Sequence, residues 1–327
     1  MKKLVALFLV LVLALGATSA ALAEEKWVPQ KAVTVIVPWA AGGSADIFWR
    51  LIAAYIEPYL GTAMVIDNQG GGSTIPGTQA IADAEPDGYT VGMNWNAAFL
   101  IRPLVLPEDV TYTIEDFSYI IGTAIQDLVI VVRADSPFQT INELIAYALE
   151  HPGELIYTAG QTTGGQYLLG EWLKAETGAD IINLPTSGGA EAITFLRGGQ
   201  SDFAIGQPSE SFSAVEAGEL RYLCSLGDVR PAQLPDVPCL TESMPELAGK
   251  VFVPYTMILM GPAGLEQNVI DTIHDAVKAV LDDPAFQAQA KDMGIVLRYI
   301  DGASWLEETM SYMDLFKEIV PKYMLGQ

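Results

Sequence analysis

The chain has 327 residues, half of them hydrophobic, with 17 Lys and Arg set against 40 Asp and Glu, for a formal charge of −23. So acidic a surface repels nucleic acid and anionic lipid, which excludes both as partners. Two Cys and two scattered His leave no zinc-binding spacing, so no metal and no cofactor are expected.

In chain order, Lys2 and Lys3 precede an apolar run from Leu4 to Leu15, followed by Ala21 and Ala23 on either side of Leu22. This predicts a secretory signal peptide over 1–23, and so a periplasmic or otherwise extracytoplasmic protein. The run is too short for a spanning helix, and no Cys follows it to carry a lipid. The leader holds two of the basic residues and no acid, so its removal moves the charge from −23 to −25. The remaining 304 residues suffice for two domains, each with its own core. Long-range steering then opposes an anionic ligand, and local donors must supply the attraction.

Four segments repeat a strand, a loop of Gly, Ser and Thr, and a helix: "VTVIVPWAAGGSADIFWRLIAAYI", "AMVIDNQGGGSTIPGTQAIADA", "ELIYTAGQTTGGQYLLGEWLKAE" and "DIINLPTSGGAEAITFLRGG". Such alternation predicts parallel strands with crossover helices, hence an α/β fold. In the first unit Ile47, Phe48, Leu51, Ile52 and Tyr55 form a helical stripe, with Ser44 or Asp46 as cap and Pro58 with Gly61 at the end. In the second, Ser73 or Thr74 is the expected cap and Pro76 fits the first turn. "EPDGYTVGMNWN" predicts a turn into a strand ending near Asn94, which leaves Asn94, Trp95 and Asn96 at its mouth. Cys224 lies in a predicted strand and Cys239 in a turn-rich stretch; an oxidising compartment allows a disulfide between them, and two small buried residues is the other reading. The tail carries a stripe of Val269, Ile270, Ile273, Val277 and Leu281, a strand near "IVLRYI" and an amphipathic helix from about Ser304.

A helix start preceded by small residues presents unpaired N–H groups and the positive end of the helix dipole, and so binds anions without a cationic side chain. Four such loops converging on one cleft would make an anion site beyond the strand ends. The same glycines also serve tight strand-to-helix turns, and pattern alone does not separate the two readings. "GGGSTIPG" lacks the lysine of a phosphate-binding loop, and no G-x-G-x-x-G is followed by a suitably placed acid. No nucleophile elbow exists, and His151 and His274 read as surface residues. Trp39, at a strand end beside glycines, is expected to wall the cleft, whereas Trp95 fits wall or core equally.

Taken in order, "VTVIVPWAAGGSADIFWRL", "MVIDNQGGGSTIPGTQAIADAEPDGYT", "HPGELIYTAGQTTGGQYLLGEWL", "INLPTSGGAEAITFLRGGQSDFAIGQPSE", "AGELRYLCSLGDVRPAQLPDVPCLTE" and "LMGPAGL" resemble the periplasmic substrate-binding proteins of tripartite tricarboxylate transporters, the Bug or TctC family. The resemblance implies a type II periplasmic-binding-protein-like Venus flytrap, each lobe a mixed sheet flanked by helices. Lobe one is expected over 24–124 and 226–327, and lobe two over 125–225. It further implies a monomer that binds a small organic carboxylate between the lobes and delivers it to large and small membrane subunits. A sensory receptor without a transport role, or an exported enzyme processing a carboxylate in the same cleft, are the alternatives.

Carried over by position, the first lobe would contribute Trp39, Ala41, Gly42, Gly43 and Ser44, with Ser73 and Thr74 opposite, and the mouth of the predicted strand adds Asn94 and Asn96 as candidates. The second would contribute Thr162, Thr163, Gln166, Thr186, Ser187, Gly188 and Gln207. Asp46 is expected to order its own loop, because a carboxylate facing an anion costs energy. Where many relatives have Pro-Tyr-Lys-Gly this chain has Pro185, Thr186, Ser187 and Gly188, and Tyr167 stands where histidine is frequent. Both departures remove positive charge from that wall, so the distal end of the ligand is expected to be neutral, zwitterionic or apolar, or held by hydroxyls and water.

Overall fold

The structure is a computed structural model that describes residues 26–250 and 255–326. The signal peptide expected over 1–23 lies outside the described residues. Strands β1 (Val33–Val37), β2 (Met64–Asn68), β3 (Thr90–Trp95) and β4 (Phe117–Gln126) belong to one sheet, and β5 (Val129–Arg133), β6 (Ile156–Thr158), β7 (Ile182–Leu184), β8 (Phe203–Gly206) and β9 (Leu220–Ser225) form a second. The chain then returns to the first sheet for β10 (Tyr255–Pro262) and β11 (Val296–Asp301).

The first sheet runs β11-β4-β10-β3-β1-β2, with β1 parallel to β2 and β3. Strand β10 pairs antiparallel with both β3 and β4, and β11 antiparallel with β4. The second runs β7-β6-β8-β5-β9, parallel among β6, β7 and β8, with β5 antiparallel to β8 and β9. Both are therefore mixed sheets flanked by helices, the two-lobed type II arrangement. Strands such as β1 and β5 are nearly continuous apolar runs because helices cover both their faces.

Each sheet has its own core. Phe48, Trp49, Leu51 and Ile52 of the helix Ser44–Tyr55 join Val269, Ile273, Val277 and Leu281 of the helix Gln267–Asp282 in the first. Ile47, Tyr55 and Ile270, expected on the same stripes, are only half-buried. In the second, Leu144, Tyr157, Trp172 and Phe203 pack with Phe316, Ile319 and Val320 of the helix Met313–Val320, so the C-terminal segment reaches across to the second core.

The helix starts bear on three local expectations. Gly43, not Ser44 or Asp46, is the N-cap of the first helix, and no side chain caps it. Thr74 is the N-cap of the helix Ile75–Ala82, as expected, but at φ +67° and without a side-chain cap bond. The helix expected from about Ser304 runs over Gly302–Ser311 and is capped by Asp301, whose carboxylate accepts the Ser304 N–H. Cys224 and Cys239 are buried free thiols on neighbouring segments, joined through a backbone bridge between Ser225 and Cys239. Among the described residues no helix is long and apolar enough to cross a membrane.

Candidate functional site

The strand-to-helix loops of both lobes end at one interlobe cleft. Trp39, Gly43, Ser44, Ala45 and Trp95 line it from the first sheet's side, Gln166 and Gln207 from the second's, and Tyr255 closes the back. As the lobes stand the cleft holds about 30 Å³, room for about one water molecule. A larger cavity of about 180 Å³ lies behind Tyr255, lined mainly by apolar side chains such as Leu168, Leu226, Phe316 and Ile319, with Asp127 and Asn96 at its edge. The smaller cleft is where the polar donors gather, so it suits a carboxylate better.

The first-lobe loop is held from within. Asp46 accepts the Gly42 N–H at 2.9 Å and pairs with Arg50 at 2.8 Å, so it orders its own loop. Burial opposes ionisation of Asp46, but hydrogen bonds from Arg50, the Gly42 N–H and Asn68 outweigh it and keep the carboxyl below its ordinary value. The second loop lies against the first, with Gly70 packed so closely on the backbone of Trp39 and Ala40 that a Cβ would come within 2.7 Å of the Ala40 nitrogen. Ser73 and Thr74 then take φ of +55° and +67°, unusual for residues other than glycine.

Beneath these loops lies a cation. Arg102 is 1% exposed, its Nε donates to the Ser73 carbonyl at 2.5 Å, and its guanidinium carbon lies 5.7 Å from the centre of the Trp39 ring. Its Nη1 has no protein partner, and no carboxylate among the described residues forms an ion pair with it. Burial lowers its pKa from the ordinary arginine value, against the pull of Tyr255 and Tyr112. No cationic side chain lines the cleft among the described residues, and the Arg102 guanidinium stands behind Trp39.

Across the cleft, Glu210 of the helix Pro208–Glu216 accepts the Gln207 N–H at 3.0 Å and stands near Ser44. Burial raises its pKa, and Gln207, Ser44 and Gln166 oppose the rise. Tyr255 stacks on Trp95 with ring centres 4.9 Å apart, and a Cβ added to Gly165, the first residue of the helix Gly165–Thr177, would lie 2.6 Å from its Cε2.

The expected site residues divide accordingly. Trp39, Gly43, Ser44, Gln166 and Gln207 meet in the cleft, and Trp95 is both wall and core, being 2% exposed. Thr74 and Thr163 hydroxyls and the Gln207 amide oxygen are buried without protein partners. Ala41 and Gly42 sit on the exposed face of their loop, and half-buried Ser73 spends its carbonyl on Arg102. The remaining residues are less available. Asn94 is fully buried, bonded to Thr78 and to the Trp95 N–H, and Asn96 lines the cavity behind Tyr255. Thr162 is exposed. Thr186 donates to the Ala159 carbonyl, while Ser187 gives both N–H and hydroxyl to Glu191 at 2.7 Å, just before half-buried Gly188. Tyr167 is half-buried against the second core.

Glu210, Arg102 and Tyr255 were missed. "GQPSE" does carry a signal for the first, an acid three residues into a helix that begins with Pro208. Arg102 is legible as a lone cation inside "AAFLIRPLVL", since arginine is rarely buried without a reason. Nothing local marks Tyr255.

Known proteins share this fold. The family model described as tripartite tricarboxylate transporter family receptor matches residues 48–309. A UPF0065 protein of Bordetella bronchiseptica is 30% identical over 279 residues, 85% of this chain and 81% of that protein. A structure of a periplasmic transporter superposes with a TM-score of 0.84 at 30% identity, covering 90% of this chain and 98% of the other. R. palustris Rpa4515, solved with adipate, shares the fold with a TM-score of 0.84 at 24% identity, over 90% and 98% of the two chains. These relatives are solute-binding receptors, not enzymes, which removes the enzymatic alternative. The chain belongs to the TctC family of tripartite tricarboxylate transporter receptors.

Proposed function

We propose that the protein is an extracytoplasmic receptor that closes on a small organic carboxylate between its lobes and delivers it to the large and small membrane subunits of a tripartite transporter. The observation that carries this reading is the meeting of helix starts from both lobes, at Ser44, Gln166 and Gln207, around one aromatic-walled cleft. Their N–H groups and dipoles favour negative charge, and Arg102 behind Trp39 adds to the positive field. The adipate of Rpa4515, a dicarboxylate held by a protein of the same fold, supports the ligand class.

Lobe one comprises 24–124 and 226–327, with its tail from Met313 packed on the core of lobe two, 125–225, and the lobes hinge on the crossings near Thr123 and Leu226. A cleft of about 30 Å³ is too small for a multi-carbon acid, so the ligand enters an open form and stabilises the closed one by touching both lobes. Native mass spectrometry of protein purified without denaturation tests the ligand class, with a co-purified small acid expected. X-ray scattering with and without that acid tests closure. A purified protein that carries and binds no carboxylate would sink the reading.

A further inference from the structure

The cavity behind Tyr255 has a chemistry opposite to that of the cleft in front. Its walls come from the parts that meet at the hinge: Ala97 of the helix Ala97–Leu100, Leu128 and Leu226 on the two crossings, Leu168 of the helix Gly165–Thr177, and Phe316 of the C-terminal segment, with Tyr255 as the partition. Voids larger than a water molecule are few in a packed interior, and apolar walls hold water poorly. At about 180 Å³ the space compares with a pocket of roughly 150 Å³ that takes a benzene ring. Exposed Asp228 and Val229, in the same lining, mark the side open to solvent.

Charge decides what such a space accepts. Asp127 and Asp228 are the charged side chains in its lining, and among the described residues no Lys, Arg or His joins them. Asp127 is half-buried on the crossing between β4 and β5, where burial raises its pKa, Gln233 opposes the rise and no cation contributes. We infer that this hinge cavity is a second ligand site, for a primary amine carrying one compact apolar group of about six carbons, with its ammonium beside Asp127 and its body among the apolar walls. The ammonium supplies the positive partner that Asp127 is without among the described residues. An alcohol offers only a neutral donor, and a carboxylate would set like charges together where little water screens them. The formal charge of −23 draws a cation toward the opening, the reverse of its effect on an anion approaching the cleft. Of the described residues only Tyr255 lines both spaces, so the inference stands apart from the carboxylate reading.

The test is titration calorimetry of the purified protein at neutral pH with two probes of one shape, benzylamine and benzyl alcohol. Benzylamine is expected to bind with a Kd of about 1 mM or tighter, and at least about tenfold more tightly than the alcohol. Asp127→Asn, near-isosteric but uncharged, should narrow that preference to about threefold or less, as when a site loses the group that reads a ligand donor. Ala97→Leu fills the cavity with apolar volume and should abolish the binding of both probes. Thermal melts check that the variants fold, and Leu226→Phe fills the same space from the second crossing if Ala97→Leu melts early. Absence of benzylamine binding, equal binding of amine and alcohol, a preference that survives Asp127→Asn, or binding that survives the filled cavity each overturns the inference and leaves the carboxylate receptor standing.

Discussion

Arg102 Nε donates to the main-chain oxygen of Ser73, a residue held at φ +55°, so a buried cation props the loop on which the first lobe's second helix start is built. Nε is spent on that bond, and Nη1 is left over. Withdrawing a charge from water costs several kcal/mol even after relaxation, whereas one hydrogen bond from a charged group returns about 1.5–3 kcal/mol. The desolvation cost is the larger, so Arg102→Met is expected to melt at the same temperature as the wild type or higher. Affinity for the co-purified acid should fall by about tenfold or more as the positive field behind Trp39 is lost. Thermal melts paired with titration calorimetry check this. A variant that melts early but binds normally would make Arg102 a prop for the loop and nothing more.

The parts of this fold that are local in the chain are legible in the sequence alone. The four strand-loop-helix units each rest on periodicity and glycine within some twenty residues, and Asp46 acts on a loop four residues away. What depends on distant pairing is not legible. The antiparallel return of β10 between β3 and β4 leaves no trace in its own pattern, since a buried strand reads the same whichever neighbours it takes. For the same reason nothing local marks Tyr255, whose ring stacks on Trp95, 160 positions earlier. Thr186 and Ser187 match the ligand loop by position, yet their hydroxyls are spent on Ala159 and Glu191.

Asp46 supplies a pH dependence. Its folded pKa lies below the ordinary value of about 3.9, so its contribution to stability is complete above that value and is lost as the pH falls through the lower, folded one. Asp46→Asn keeps the shape but not the charge. It should cost about 1–3 kcal/mol at neutral pH, as expected when a hydrogen-bonded carboxylate is neutralised, and flatten the acid limb of the stability curve below about pH 4. Urea titrations across that range measure both effects. An acid limb identical to the wild type's would assign the pH dependence to other carboxylates.

Gly70 and Gly42 separate two reasons for a glycine in the same pair of loops. At Gly42 the backbone is left-handed, φ +85°, but nothing lies within 4 Å of an added Cβ, so Gly42→Ala costs strain of about 1–2 kcal/mol and moves no neighbour. At Gly70 the added carbon meets the main chain, 2.7 Å from the Ala40 nitrogen and 2.9 Å from the Trp39 carbonyl carbon, and backbone cannot turn aside as a side chain would. Gly70→Ala should destabilise by a similar amount, about 1–3 kcal/mol, by prising the loops apart. The two variants should therefore look alike in a thermal melt and differ in ligand binding, where only Gly70→Ala displaces Trp39 and loses affinity, by about tenfold for a displacement that breaks contacts to a bound ligand. Equal affinities in the two variants would show that the spacing of these loops does not set the geometry of the site.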